Sequence, residues 1–367
     1  FPWPKSMRWG SGDLRWIRPL KRILCTFDSE VAPFTVDGLA ASDETEGHRV
    51  MAPGVIRVRT FEKYEAALKA AYVEIDAGRR AEAILEEART LARAQGLELV
   101  EDKGLLAEVA GLVEWPVVRM GSFDAKFLDV PEEAITATMR ANQKYFSVRD
   151  PKTGRLAQKF VFVANIEAKD GGAASRAGYE RVLTARLSDA WFLYRQDLKT
   201  KLSDRLPALD GITFFEGLGS VGDKARRVTA LAKVLAPAVD AYPELVEAAA
   251  RLAKADLVTG MVKEFPELQG KIGRYYAQAE KLDAQIADAI RDHYRPQGQE
   301  DSPPTAPVSV AVALADKIDT LAAFFVIDKK PTGSGDPFAL RRAALGLIRT
   351  VLDNKARFSL DAMLKFA

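Results

Sequence analysis

Lys159-Phe160-Val161-Phe162-Val163-Ala164-Asn165-Ile166-Glu167-Ala168-Lys169-Asp170-Gly171-Gly172-Ala173-Ala174-Ser175 divides the chain into two kinds of sequence. Its first half, 159–167, is apolar enough to be a strand buried on both faces. From Lys169 it turns small and polar, the composition of a boundary. On the N-terminal side, Val31-Phe34-Val36, residues 55–58, Val117-Val118 and residues 144–149 read as short strands punctuated by Gly and Pro. Between them, residues 77–95 carry Ile84, Leu85, Ala88, Leu91 and Ala92 at the spacing of an amphipathic helix, with Gly96 placed to stop it. Pro131 opens another helix through Asn142, because the missing N–H of proline costs nothing in a first turn. On the C-terminal side nearly every periodic segment is helical. Tyr179, Leu183, Leu187, Trp191, Tyr194 and Leu198 form one apolar face, with Arg181, Arg186 and Arg195 off it. Further helices are expected at 223–236, 244–262, 282–294, 308–325 and 336–353, the last with Asp336 as N-cap and Pro337 in its first turn. A loop rich in Pro, Gln and Ser spans 295–307. The expected fold is α+β, with a mixed α/β domain at 1–170 followed by an all-α domain at 171–367.

The 367 residues, 48% hydrophobic, suffice for two or three cored domains. With 53 Lys+Arg against 51 Asp+Glu, the net charge of +2 gives no global pull toward a polyanion, so any nucleic-acid surface must be local. The single cysteine, Cys25, excludes an intrachain disulfide and fits a reducing compartment. No stretch approaches the roughly 20 apolar residues of a membrane span, and the N-terminus lacks a signal-peptide layout, so a cytoplasmic protein with no membrane partner is expected. The chain starts Phe1-Pro2-Trp3-Pro4 without Met and ends inside a helical pattern at Leu364-Lys365-Phe366-Ala367, which reads as an internal fragment.

Residue types that carry catalysis are sparse. His48 and His293 are the only histidines, and neither has a partner at helical ligand spacing, so no metal is expected in this chain. The stretch from Lys329 to Asp336, with Gly333 and Gly335, leads into a helix N-terminus but lacks the Gly-Lys-Ser/Thr ending of a phosphate loop. Residues 224–232, Lys-Ala-Arg-Arg-Val-Thr-Ala-Leu-Ala, resemble the opening helix of HD-type phosphohydrolase domains. Lys224 then stands where that pattern has a histidine, Ala255-Asp256 in place of its His-Asp pair, and Asp316 in place of its last aspartate. With a lysine and a methyl group replacing two imidazoles, a divalent ion would find two carboxylates at most. On spacing alone, Asp256 and Asp316 are equally well read as solvated or capping acids.

Eight segments occur in an order that identifies a family: Lys5-Ser6-Met7-Arg8-Trp9-Gly10, Ile17-Arg18-Pro19, Gly47-His48-Arg49, Leu112-Val113-Glu114-Trp115-Pro116-Val117-Val118, Asn142-Gln143-Lys144-Tyr145-Phe146, Phe162-Val163-Ala164-Asn165-Ile166-Glu167, Ala315-Asp316-Lys317-Ile318-Asp319-Thr320-Leu321 and Asp336-Pro337-Phe338-Ala339-Leu340-Arg341-Arg342-Ala343-Ala344-Leu345-Gly346. Together they resemble the beta subunit of bacterial glycyl-tRNA synthetase nearly end to end. The resemblance implies a first domain similar to the editing-type module of phenylalanyl-tRNA synthetase beta chains, then an HD-like helical domain without its metal-ligand histidines. It also implies a non-catalytic, tRNA-binding role supporting aminoacylation of tRNA(Gly), with ATP and Mg at a separate alpha subunit. Two alpha and two beta chains are implied in the complete enzyme, and anticodon reading is expected outside this chain.

Candidate RNA contacts follow from local charge: Lys5 and Arg8 beside Trp9, Arg140 and Lys144 beside Tyr145, and Arg341, Arg342 and Arg349 on the last long helix. On that helix Leu340, Ala344, Leu347 and Val351 make the expected core stripe, which leaves Arg342 and Arg349 on an outer face. Rival readings are an HD-type phosphohydrolase, an editing hydrolase for mischarged tRNA, and a scaffold touching only the alpha chain. The editing reading is weakened because glycine is the smallest amino acid, so a synthesis pocket excludes larger ones by size.

Overall fold

A computed structural model describes residues 3–367; Phe1 and Pro2, where the reading of a cut N-terminal end begins, lie outside the described residues. The fold is mixed, with helices and several small sheets. Two compact units form, one from the residues up to Lys126 with Thr138–Ala185, the other from Phe127–Ala137 with Arg186–Ala367.

In the first unit a four-stranded antiparallel sheet runs in the order Glu98–Leu99, Phe146–Arg149, Leu156–Ala164, Val117–Ser122. Side chains alternate along a strand, so Phe160-Val161-Phe162 serves both faces. Val161 joins Val118, Phe146 and Val148 under the helices Ala77–Ala94 and Lys103–Leu112, through Ile84, Ala88, Leu105 and Val109. Phe160 stacks on Tyr145 with ring centroids 4.7 Å apart, and Phe162 meets Tyr179 at 4.3 Å. The neighbouring strand accommodates this with Gly121, opposite Phe160, where a Cβ would stand 2.5 Å from the ring.

Helix Ala77–Ala94 ends as its sequence implies. Gly96 takes φ +69, its N–H donates to the Arg93 carbonyl, and Leu97 N–H reaches back to Ala92, both at 2.9 Å. That pair of bonds satisfies carbonyls the helix leaves open. Gly96→Ala is expected to lower the stability of this unit by about 1 kcal/mol, the cost of a left-handed conformation with a Cβ, and urea unfolding followed by circular dichroism measures it. The expected helix at 131–142 is instead α-helical over Glu132–Ala137 and π-helical over Thr138–Gln143. Helices Phe61–Ala70 and Lys103–Leu112, capped by Thr60 and Asp102, were not evident from the pattern.

The second unit is helical apart from one hairpin, Thr213–Phe215 with Gly219–Ser220, which departs from the all-α expectation. Its axis is the helix Pro307–Val326, buried at every residue from Val308 to Ala315, because Val221–Leu235, Pro243–Leu252, Ala284–Asp292 and Leu340–Asp353 pack around it. A helix apolar all round has to be enclosed in this way. The single helix expected at 244–262 is broken into Pro243–Leu252, a 3-10 turn at Ala255–Val258 and a short helix Gly260–Glu264. The last long helix starts at Leu340 rather than at 336. Asp336 still caps it, accepting from the N–H groups of Leu340 and Arg341 at 2.9 Å, while Ala339 turns the chain at φ +54.

Candidate functional site

Charged groups converge inside the second unit, where three helices meet. The Ser220 hydroxyl and the Asp223 carboxylate cap each other's backbone N–H groups and so start helix Val221–Leu235 one turn before Lys224. Lys224 then projects toward the axial helix. Its Nζ lies 3.0 Å from Asp319 Oδ2 and 3.3 Å from Asp316 Oδ1, and donates to Thr320 Oγ1 at 2.7 Å. Arg227, one turn on, adds a contact of 2.6 Å to Asp319 Oδ1. A second ammonium arrives from Lys254, 3.2 Å from Asp316 Oδ1 and 2.8 Å from His293 Nε2, with the Tyr294 ring 4.0 Å away. Since His293 Nδ1 lies 2.8 Å from the Ile290 carbonyl, hydrogen bonding assigns the proton to Nδ1 and leaves Nε2 to accept from Lys254.

Of the four positions read as a degenerate HD set, the structure joins Lys224 and Asp316 and not the other two. The Ala255 side chain is fully buried in the core. Asp256 turns its Oδ2 to the N–H groups of Gly270 and Gly273, at 2.6 and 3.1 Å. Lys254, one residue before Ala255, supplies the group that faces Asp316. Sequence reasoning missed Lys254, His293 and Asp319. The Asp316, Asp319 and Thr320 spacing puts three polar groups on one face of a largely apolar helix, and that signal could have found Asp319.

Burial pushes the Asp316 carboxyl upward, but the charges of Lys224 and Lys254 outweigh it and hold it below the usual carboxylate range. Burial lowers the Lys254 ammonium, offset only in part by Asp316, and lowers Lys317 to about 8. A divalent cation at Asp316 would face two ammonium groups, so these residues do not fit a metal, and among the described residues no cluster of three His, Cys, Asp or Glu side chains could hold one.

Asp256 carries a pH dependence. Burial raises its carboxyl from 3.8 to about 6, despite the two amide hydrogen bonds. An acid whose pKa is higher folded than unfolded stabilises the fold fully below the unfolded value and loses that contribution as pH rises through the folded one. Between pH 4 and pH 6 the stability of the helical unit is therefore expected to fall by about 2–3 kcal/mol from this group. Asp316 acts with opposite sign and only below that window. Asp256→Asn keeps an acceptor for Gly270 and Gly273, so thermal melts of this variant across pH 4–7 should lack the decline.

The basic candidates fall into different states. Arg140 is bound to Asp102 at 2.6 Å and Lys144 to Glu108 at 2.8 Å, while Tyr145 beside them is buried under Phe160. Arg349 donates to the carbonyls of Gly298 and Asp301, and Arg341 to that of Gly333. Arg8 pairs with Asp13 at 3.3 Å, and Trp9 is half-buried. Lys5 and Arg342 are exposed and make no hydrogen bond or ion pair with the described residues. Arg342 lies with Arg341 and Arg349 along a groove of about 700 Å³ that also includes Pro296 and Gln299.

A family model described as the glycyl-tRNA synthetase beta subunit matches residues 1–367. The chain belongs to the glycyl-tRNA synthetase beta subunit family. It is 57% identical over 364 residues to the glycine–tRNA ligase beta subunit of Phenylobacterium zucineum (strain HLK1), covering 98% of this chain and 54% of that one. With the beta subunits of Ruegeria sp. (strain TM1040) and Dinoroseobacter shibae (strain DSM 16493) it shares 55% identity, again over 98% of this chain and 54% and 51% of theirs. The chain thus spans about half the length of the glycyl-tRNA synthetase beta subunits it matches. No described helix in this family member is long and apolar enough to cross a membrane.

Proposed function

We propose that this chain is the portion of a glycine–tRNA ligase beta subunit that holds tRNA(Gly) and the alpha subunit, and that it contributes no catalytic group of its own. The observation that carries this reading is the family match along residues 1–367, with relatives of the same name aligned over 98% of the chain. ATP, Mg and glycine are handled at the alpha subunit in this reading, with two alpha and two beta chains in the cytoplasmic enzyme. Alone, the chain is expected to be inactive in aminoacylation. The helical unit is a form of the HD-like domain in which lysines replace a metal centre, the support being the contacts of Lys224 and Lys254 with Asp316. The first domain, 1–170, keeps the outline of an editing-type module without editing chemistry.

Phosphate contact is best assigned to Arg342 and Lys5, the exposed candidates without a hydrogen-bond or ion-pair partner among the described residues. In an otherwise intact beta chain with its alpha subunit, Arg342→Ala should weaken tRNA(Gly) binding and flatten its salt dependence by about one unit of slope. Lys144→Ala, which removes a group already paired with Glu108, should change the slope less. Unchanged affinity and slope in both Arg342→Ala and Lys5→Ala would move the RNA surface elsewhere.

A further inference from the structure

The last three helices carry an apolar face that the rest of the described chain leaves bare. Helix Pro307–Val326 ends in Phe325 and Val326, the latter 83% exposed. Helix Leu340–Asp353 buries Leu340 and Leu347 on one side, yet on another it turns Leu345, Ile348 and Leu352 outward, at the spacings of one helical stripe. The terminal helix Leu360–Phe366 has no buried residue and leaves Leu360, Leu364 and Phe366 exposed. Leu321, Phe325, Val326, Ile348, Leu360 and Leu364 line one groove of about 530 Å³ with no charged side chain along it.

A face this apolar is expected to be covered permanently. Interfaces between proteins that exchange are on the whole no more apolar than ordinary surface, whereas interiors and obligate interfaces are. About half the length of the related beta subunits lies outside these residues, since the chain covers 54% of the Phenylobacterium relative. Polypeptide joined to the groove acts at an effective concentration of around millimolar, well above that of a free subunit or a second copy. A groove between helices with aliphatic walls fits the apolar stripe of another helix.

We propose that this groove is an intrachain interface, filled in the full-length beta subunit by an amphipathic helix from the part of the polypeptide outside these 367 residues. The inference rests on family membership and not on the tRNA-binding reading, and its test needs neither tRNA nor catalysis.

The experiment is thiol labelling of the complete beta chain carrying Val326→Cys, read peptide by peptide by mass spectrometry, with Glu82→Cys on an exposed helix face as reference. Val326 is largely exposed in the part of the fold described here, so cysteine there does not disturb a packed core. Without alpha subunit, labelling at 326 should run about tenfold or more slower than at 82, as expected of a site reached only through local opening. The protection should not change with beta-chain concentration or on addition of alpha subunit. Ile348→Cys should behave alike. Equal labelling rates at 326 and 82 would overturn the proposal. So would protection that grows with beta concentration, which marks a second copy, or that arises only with alpha subunit, which marks a docking site for it.

Discussion

Asp197→Ala is expected to destabilise the helical unit by about 3–5 kcal/mol, because four donors, one of them the largely buried Arg205 guanidinium, lose their acceptor where water does not replace it. Asp197 ends the long helix Ala173–Asp197, and its carboxylate accepts from the N–H groups of Gly260 at 3.0 Å and Met261 at 2.9 Å. It also takes the Tyr276 hydroxyl at 2.9 Å. Burial, together with the Asp197 charge, holds that phenol well above its usual pKa, so Tyr276 remains a donor throughout the accessible pH range. The variant should melt cooperatively at lower denaturant, and Asp197→Asn, which retains one acceptor oxygen, should recover part of the loss. A change below 1 kcal/mol on the urea transition would mean that the contacts are replaced by water and that the node is peripheral.

The second large effect is expected at Asp319. Its carboxylate is 1% exposed and stands between Lys224 and Arg227. Taking one member from a buried ion pair leaves a charge without compensation, which costs about 3–5 kcal/mol in general. Asp319→Ala should fall near the low end of that range, since Lys224 keeps Asp316 and Arg227 is partly solvated. The double variant Asp319→Ala with Lys224→Met removes the stranded ammonium as well, and should be more stable than the sum of the two single changes. Strict additivity in a double-mutant cycle would show that the two groups do not act on each other.

Where the sequence was legible, the cause was local. Helix Ala77–Ala94 carries its own stripe and its own stop at Gly96, and the apolar run at Phe160 carries its own burial. Segment 244–262 misled because part of its break is imposed from a distance: Asp197, far back in the chain, takes the N–H groups of Gly260 and Met261, beside the local cap in which Thr259 Oγ1 accepts from the Val262 N–H. Likewise Lys254 looked ordinary beside Ala255 and Asp256, since its partners His293 and Asp316 come from two other helices. Arg140 and Lys144, picked out for positive charge near an aromatic residue, each stand in an ion pair with an acid on another helix or its cap, which the sequence does not reveal. The last long helix has two apolar stripes, and periodicity read only the one that carries the buried Leu340 and Leu347.

Composition alone makes 295–307 look like a place to cut. Arg349 holds the carbonyls of Gly298 and Asp301, Asn354 holds that of Pro304, and Asp301 ties Arg295 to the N–H of Gln297. Pro303 and Pro304 are buried. A protease needs several residues of extended, detachable backbone, and here the segment is fastened at Arg295 to Lys317 of the axial helix, and at Gly298, Asp301 and Pro304 to helix Leu340–Asp353 and the residue that ends it. Cleavage within it has to wait until that helix lets go, so the lifetime of the loop in a proteolytic environment is set by the packing of the helix and not by the loop itself.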